Sequence, residues 1–310
     1  MSKVSIFLKG MAMGAADVVP GVSGGTIAFI TGIYDTLLGS ISRITPRLIG
    51  IIRKDGLKAA FEYINGTFLI VLLAGILTSI FTLARVITWM LHTHPIPLWS
   101  FFFGLIIISV NHMFKQIEHW NVSRFIALLV GIAFSYSITV LQPLNLEPTS
   151  INILLAGSIA ICAMILPGIS GSFILLMLGM YAPILAAAKS IDVVTLTTFA
   201  AGCAIGLLTF SHVLTWVLRH YRDITLTFLT GLMIGTLGKV WPWKETLTWR
   251  TDSSGLEVPL LERNLSPFSF EDITGQPALL AYAIVAMLAA IALILVLEKA
   301  ANKTTKSHNL

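Results

Sequence analysis

Two stretches of this chain carry hydroxyls and glycines at spacings that suit the binding of an anion. The first runs Val18-Val19-Pro20-Gly21-Val22-Ser23-Gly24-Gly25-Thr26 and continues to Gly32-Ile33-Tyr34. The second runs Ile165-Leu166-Pro167-Gly168-Ile169-Ser170-Gly171-Ser172 and continues to Gly179-Met180-Tyr181. Pro, Gly, Ser, Gly, Gly and Tyr recur in register at Pro20/Pro167, Gly21/Gly168, Ser23/Ser170, Gly24/Gly171, Gly32/Gly179 and Tyr34/Tyr181. Proline removes a backbone donor and clashes with the preceding turn, so a helix ends there. The adjoining glycine lets the backbone turn, and Ser23 and Ser170 are suited to cap a new helix. Each stretch reads as helix, break, helix. The break offers unpaired N–H groups and the positive end of a helix dipole. Gly21, Ser23, Gly24 and Thr26 from one turn, with Gly168, Ser170, Gly171 and Ser172 from the other, form the candidate phosphate-binding set. The plainer reading is a pair of kinks that help helices pack closely. The anion reading is preferred because the duplication preserves Ser and Gly as well as the kink.

Three ionisable residues join this set. Arg85 lies in a hydrophobic span, where a charge is a functional candidate by default. The alternative is an arginine that snorkels to the interface. The repeat places His212 at the position related to Arg85, so both related sites hold a basic or protonatable group. Asp17, three residues before Pro20, is a candidate coupling site for a proton or cation, or a partner for Lys9 or Arg85. Gly21-Val22-Ser23-Gly24-Gly25 matches the G-x-S-x-G pattern of a nucleophile elbow, but that elbow needs a preceding strand, which a Pro-broken membrane hairpin does not supply. Nothing resembles an ATP-binding phosphate loop. Cys162 and Cys203 lie in apolar segments without metal-ligand spacing. No catalytic residue, metal or cofactor is therefore expected.

The elements that position these residues are those of a membrane protein. Hydrophobic residues make up 56% of the 310 and charged residues 11%, with a mean hydropathy of +0.87. Soluble domains carry about 25% charged residues. The net charge of +5 calls for no nucleic acid, since cytoplasmic loops collect Lys and Arg. No removable signal peptide is expected. Residues 4–19 and 22–41 read as the two arms of one helical hairpin, too short for full spans and so re-entrant. Residues 42–65 are basic and suit an amphipathic surface helix. Spans follow at 66–91, 98–114 and 125–141. The second half repeats this order, with a hairpin at 151–166 and 169–188 and spans at 193–218, 224–241 and 278–297. Pro242 to Gln276 reads as a loop of mixed charge.

The duplication extends beyond the hairpins. Gly75, Val86, Thr88, Trp89, Leu91, Gly104 and Leu105 match Gly202, Val213, Thr215, Trp216, Leu218, Gly231 and Leu232 at one constant offset. The fold expected is all-α, with two inverted-topology membrane repeats, each a Pro-Gly-broken hairpin plus three transmembrane helices. The first repeat covers residues 1–141, a linker 142–150, the second repeat 151–298, and a tail 299–310. Most of the 20 Lys and Arg, including Lys3, Lys9, Arg43, Arg47, Arg53, Lys115, Arg124, Arg219, Arg222 and Lys299, then fall on one side. The positive-inside rule makes that side, and both termini, cytoplasmic. Two broken helices in corresponding halves point to a transporter's substrate site.

The first turn with its flanks, from Lys9-Gly10-Met11 to Gly24-Gly25-Thr26, resembles the signature of a bacterial membrane family long catalogued as a domain of unknown function. Leu166-Pro167-Gly168-Ile169-Ser170-Gly171-Ser172-Phe173 and Trp241-Pro242-Trp243 are similar to that family too. The likeness covers nearly the whole chain. The family includes the polyprenyl-phosphate transporters of the PopT type. The resemblance implies a transporter of the bacterial inner membrane that returns undecaprenyl phosphate for envelope and peptidoglycan synthesis. Its partners would be that lipid and the surrounding membrane lipids. The alternatives are a carrier of a small soluble anion and a membrane enzyme acting on a lipid phosphate. The second would want His, Asp or Arg clustered near one interface, and the histidines here are scattered.

Overall fold

The computed structural model describes residues 2–19, 22–141, 143, 144, 146–251 and 257–306. Among these the chain is helical apart from one β-hairpin. The first half runs α1 (Lys3–Val18), α2 (Gly24–Ile30), α3 (Tyr34–Ser42), α4 (Arg47–Tyr63), α5 (Gly66–Thr93), α6 (Pro95–Lys115) and α7 (Val122–Val140). The second half runs α8 (Ser150–Ile165), α9 (Gly171–Met177), α10 (Tyr181–Ser190), α11 (Val193–His220) and α12 (Arg222–Gly235), then a 3-10 turn at Leu237–Val240. Strands β1 (Lys244–Thr251) and β2 (Glu257–Asn264) follow, then α13 (Pro267–Thr274) and α14 (Leu280–Lys306). Among the described residues, five helices are long and apolar enough to cross a membrane: α5, α6, α7, α11 and α12 continued to Val240. α14 adds a shorter apolar segment, Leu280–Val296. The basic segment is indeed helical as α4, with Ile49, Ile52, Leu57 and Phe61 exposed and a break in its geometry at Gly56.

Each Pro-Gly turn ends one helix and starts another, but the arm after the turn differs from the single helix expected over 22–41 and 169–188. It is two helices. Gly32 and Gly179 take φ of +70° and +73°, and α9 meets α10 at 108°. The cause is a Schellman cap, used twice. Gly32 N–H donates to Phe29 O at 3.0 Å and Ile33 N–H to Ala28 O at 2.9 Å. Gly179 N–H donates to Leu176 O at 3.0 Å and Met180 N–H to Leu175 O at 2.9 Å. A glycine in the left-handed region satisfies the last carbonyls of the helix and stops it.

A second departure concerns residues 242–276. The expected loop is a twisted antiparallel hairpin followed by α13. Lys244 faces Asn264 and Thr251 faces Glu257, with an irregularity between Thr246 and Trp249. Two indoles hold the hairpin to the helices. Trp241 Nε1 donates to Leu265 O and Trp243 Nε1 to Ala278 O, both at 2.8 Å. Trp243 packs with Ile96, Phe270, Ala278 and Ala283 in a small core of its own.

The helices meet through glycines, which let backbones approach where apolar burial drives little association. A Cβ on Gly75 would stand 2.2 Å from Phe7 O, which places α5 against α1. One on Gly202 would stand 2.1 Å from Leu154 O, which places α11 against α8. The remaining spans trade partners between the halves. α6 packs on α14, with Gly104 against Met287, and α7 packs on α12, with Gly131 and Gly231 at the crossing. α7 and α12 run parallel. Arg124 Nη2 meets Asp223 Oδ2 at 2.7 Å near their starts, and Gly235 lies against Ser135 further along.

Candidate functional site

The two turns touch each other at the centre of the fold. Ser23 is fully buried and Thr26 is 1% exposed. Ser23 Oγ donates toward Met164 O at 3.1 Å and Leu166 O at 3.2 Å, and it accepts from Gly25 N–H at 3.1 Å. Thr26 Oγ1 accepts from Gly168 N–H at 2.9 Å. A Cβ on Gly25 would lie 2.5 Å from Ile165 O. Ser23, which the repeat preserves, and Thr26, whose counterpart in the second turn is Phe173, thus fasten the first turn to the second.

The turns differ in one way that bears on an anion. Gly24 N–H, at the start of α2, donates to Asp17 Oδ1 at 2.7 Å. The protein's own carboxylate caps the first turn, as an anion would. Lys9 does not pair with Asp17; its Nζ reaches Thr31 O at the other end of α2, at 2.6 Å. In the second half, Met164 stands where the repeat would put the acid. Ser170 makes no side-chain cap bond to α9, and its Oγ pairs with Ser172 Oγ at 2.9 Å. The second turn is therefore the one not already capped by a carboxylate.

Beside it lies a small cavity with room for about one water. The turn contributes Gly168, Ile169 and Ser170, α9 contributes Phe173, α7 contributes Ser135, Ile138 and Thr139, and Thr236 and Lys239 close it. Lys239 Nζ lies 5.3 Å from the centre of the Phe173 ring. It donates to Glu262 Oε2 at 3.3 Å. Lys244 Nζ donates to the same oxygen at 3.2 Å and to Lys239 O at 2.7 Å, and it sits 4.5 Å from the centre of the Trp99 ring. Burial pulls the Lys244 ammonium down to about 8, with Glu262 working against that and Lys239 adding to it. Burial would raise the Glu262 carboxyl, but Lys244 and Lys239 outweigh it and hold it below its ordinary value.

Not every candidate gathers here. Gly21 and Pro20 lie outside the described residues. Arg85 is exposed on α5, and no hydrogen bond or ion pair joins it to either turn among the described residues. His212 is exposed on α11, its Nδ1–H donating to Leu208 O at 2.6 Å. Sequence reasoning left Lys239 at the end of the span 224–241 without a role in the site, and missed Ser135, Thr139, Thr236 and Glu262. One signal was available: Lys239 ends an apolar helix just before Trp241-Pro242-Trp243.

A family model described as VCA0040-like, undecaprenyl phosphate translocase-like, matches residues 13–258, both turns included. The chain belongs to the undecaprenyl phosphate translocase-like family. Two relatives agree with this membership. A protein of Vibrio cholerae serotype O1 (strain El Tor Inaba N16961), named polyprenyl-phosphate transporter, is 65% identical over 303 residues, 98% of each chain. A Staphylococcus aureus protein (strain NCTC 8325) of the same name is 33% identical over 253 residues, 76% of this chain and 85% of that one. Both carry the names of transporters, not of enzymes. No solved structure matches. The site offers hydroxyls, backbone donors and ammonium groups, the kinds of group that can hydrogen-bond an anion, and among the described residues no group of three His, Cys, Asp or Glu could hold a metal ion.

Proposed function

We propose that this protein carries polyprenyl phosphate, undecaprenyl phosphate foremost, across the bacterial cytoplasmic membrane. The direction would be from the outer to the inner leaflet, returning the lipid for envelope synthesis. The observation that carries this is the likeness to the V. cholerae transporter along the whole chain. The geometry supports it: the site joins phosphate-binding groups to the apolar walls of Ile138, Ile169 and Phe173, as an anionic head on an apolar tail requires.

In this mechanism the tail stays in the bilayer while the phosphate exchanges water for the turns. The cavity at the second turn, which has room for about one water, widens to admit it, and Gly168, Ser170, Gly171 and Ser172 receive it first. Gly21, Ser23, Gly24 and Thr26 become available when the turns part. Asp17 then releases Gly24 and takes a proton or a cation. Arg85 and His212 meet the phosphate from their spans as it passes. The two halves are inverted repeats whose rocking exposes the site to each side in turn. The parallel run of α7 and α12 supports inversion, because α12 corresponds to α6 in the repeat and α7 returns from α6 through a short link. The re-entrant hairpins meet near the midplane.

Liposomes test the carrier reading. Protein reconstituted with labelled undecaprenyl phosphate should move it between leaflets, and should not move a short soluble alkyl phosphate. The double variant Ser170→Ala/Ser172→Ala should bind the lipid about tenfold to hundredfold more weakly per lost bond to a charged group, each worth about 1.5–3 kcal/mol. Arg85→Lys should slow transport, because Lys lacks the planar fork of donors, and Arg85→Gln should slow it further. Equal rates for all three would leave Arg85 as an interface anchor. Transport of the soluble phosphate alone would replace the lipid-carrier reading with a small-anion carrier.

Orientation has its own test. Both termini should be cytoplasmic and the β-hairpin outside. Thr248, exposed on β1, is replaced by cysteine in a background lacking Cys162 and Cys203. An impermeant maleimide should label it in intact spheroplasts. Labelling only after lysis would reverse the assignment.

A further inference from the structure

The cluster of Lys239, Lys244 and Glu262 holds two ammonium groups on one carboxylate oxygen. Lys244 is 7% exposed on its side chain and bound on three sides, by Glu262, by Lys239 O and by the Trp99 ring. It is fixed. Lys239 is different. Its side chain is 23% exposed, its only acidic partner among the described residues is the oxygen it shares with Lys244, and it forms part of the wall of the second-turn cavity. Two cations and one carboxylate leave one positive charge unbalanced in a place partly shielded from water. Such an imbalance is costly unless an anion arrives. The cavity that Lys239 lines supplies a hydroxyl beside it, Ser170, whose side chain makes no cap bond to α9.

We propose that Lys239 is the cationic group that takes the lipid's phosphate in the second-turn cavity, and that Glu262 is its internal stand-in. The arriving phosphate displaces Glu262 from Lys239, and Glu262 stays paired to Lys244. The phosphate cancels the excess positive charge and leaves a small net negative one, since a phosphate monoester carries about −1.5 to −2 at neutral pH. Phe173 beneath the ammonium keeps Lys239 turned toward the cavity in both states. The β-hairpin thereby acquires a role: it carries the carboxylate that competes with the substrate. This inference rests on the carrier reading above.

The test measures binding of undecaprenyl phosphate by the full-length protein in detergent, with undecaprenol and inorganic phosphate as parallel probes. Wild type should prefer the lipid phosphate to the alcohol. Lys239→Gln should weaken binding of the lipid phosphate about tenfold, and Lys239→Arg should restore most of it. Glu262→Gln should tighten binding severalfold, because it removes the competitor and frees both ammonium groups. A merely structural ion pair gives another pattern: Lys239→Gln and Glu262→Gln break the same contact and should change binding in the same direction. That pattern would overturn the inference. Should Lys239→Gln fail to fold, as judged by its thermal unfolding, the Glu262→Gln arm decides, and weaker binding there overturns it. Tight binding of inorganic phosphate equal to that of the lipid would make the site one for free phosphate and would overturn the lipid assignment. No preference for the lipid phosphate over undecaprenol in wild type would sink the carrier reading itself; a preference that Lys239→Gln leaves unchanged would sink only the role of Lys239.

Discussion

Gly25→Val should abolish transport and lower the ratio of folded to unfolded protein by more than a hundredfold. A Cβ at this position would lie 2.5 Å from Ile165 O and 3.1 Å from Met164 O. Both are backbone atoms at the end of α8, so no side chain can swing aside. Valine would push the turns apart and break the Ser23 bonds to Met164 and Leu166, together with the Thr26 bond to Gly168. Overpacking alone costs about 1–3 kcal/mol and sometimes more, and each buried hydrogen-bonding group left unpaired adds about 1–3 kcal/mol. The measurement is thermal unfolding in detergent beside the liposome assay. A folded, transporting Gly25→Val protein would show that the turns need not touch.

Gly75→Leu and Gly202→Leu should do comparable damage in the two halves. Each added Cβ would meet a helix carbonyl, Phe7 O at 2.2 Å or Leu154 O at 2.1 Å. Each would force α1 off α5, or α8 off α11, and so misplace the turn at the end of the shorter helix. The expected loss is about 3 kcal/mol or more for each, read as unfolding temperature. A milder change at one position than the other would mean that one half tolerates a wider crossing. Gly39, around which nothing lies within 4 Å, is the control: Gly39→Leu should be nearly silent.

Much of this architecture could be read from the residues because its parts are duplicated. Gly75 and Gly202 matched in the repeat, and the structure makes both of them crossing points. The Pro-Gly breaks were legible because a proline followed by glycine within a long helix-forming run removes a backbone donor and ends the helix before it. Gly32 and Gly179 were also visible as repeated glycines, but a Schellman cap depends on where the preceding helix has its last carbonyls. That register is set by Ser23 and Ser170, and the glycines alone do not state it. The hairpin was hidden because charged residues interrupt the alternation of β1 and β2. Lys239 and Glu262 were hidden because the return of β2 along β1 carries Glu262 back beside the residues that precede β1. Asp17 as the cap of α2 was beyond reach too. Its seven-residue separation from Gly24 has meaning only once the turn between them has a shape.

The exchange of spans between the halves bears on how the chain is made. α6 finds its partner in α14, which is synthesised long after it, and α7 finds its partner in α12. As the nascent chain enters the bilayer, α6 and α7 are inserted with their glycine faces uncovered. They stay so until most of the second half has left the ribosome. Contacts this far apart in sequence form late and slowly. The first half therefore waits in the membrane as an open intermediate, dependent on the insertion machinery and exposed to quality-control proteases. A ribosome that stalls before Leu280 leaves the Gly104 face of α6 uncovered.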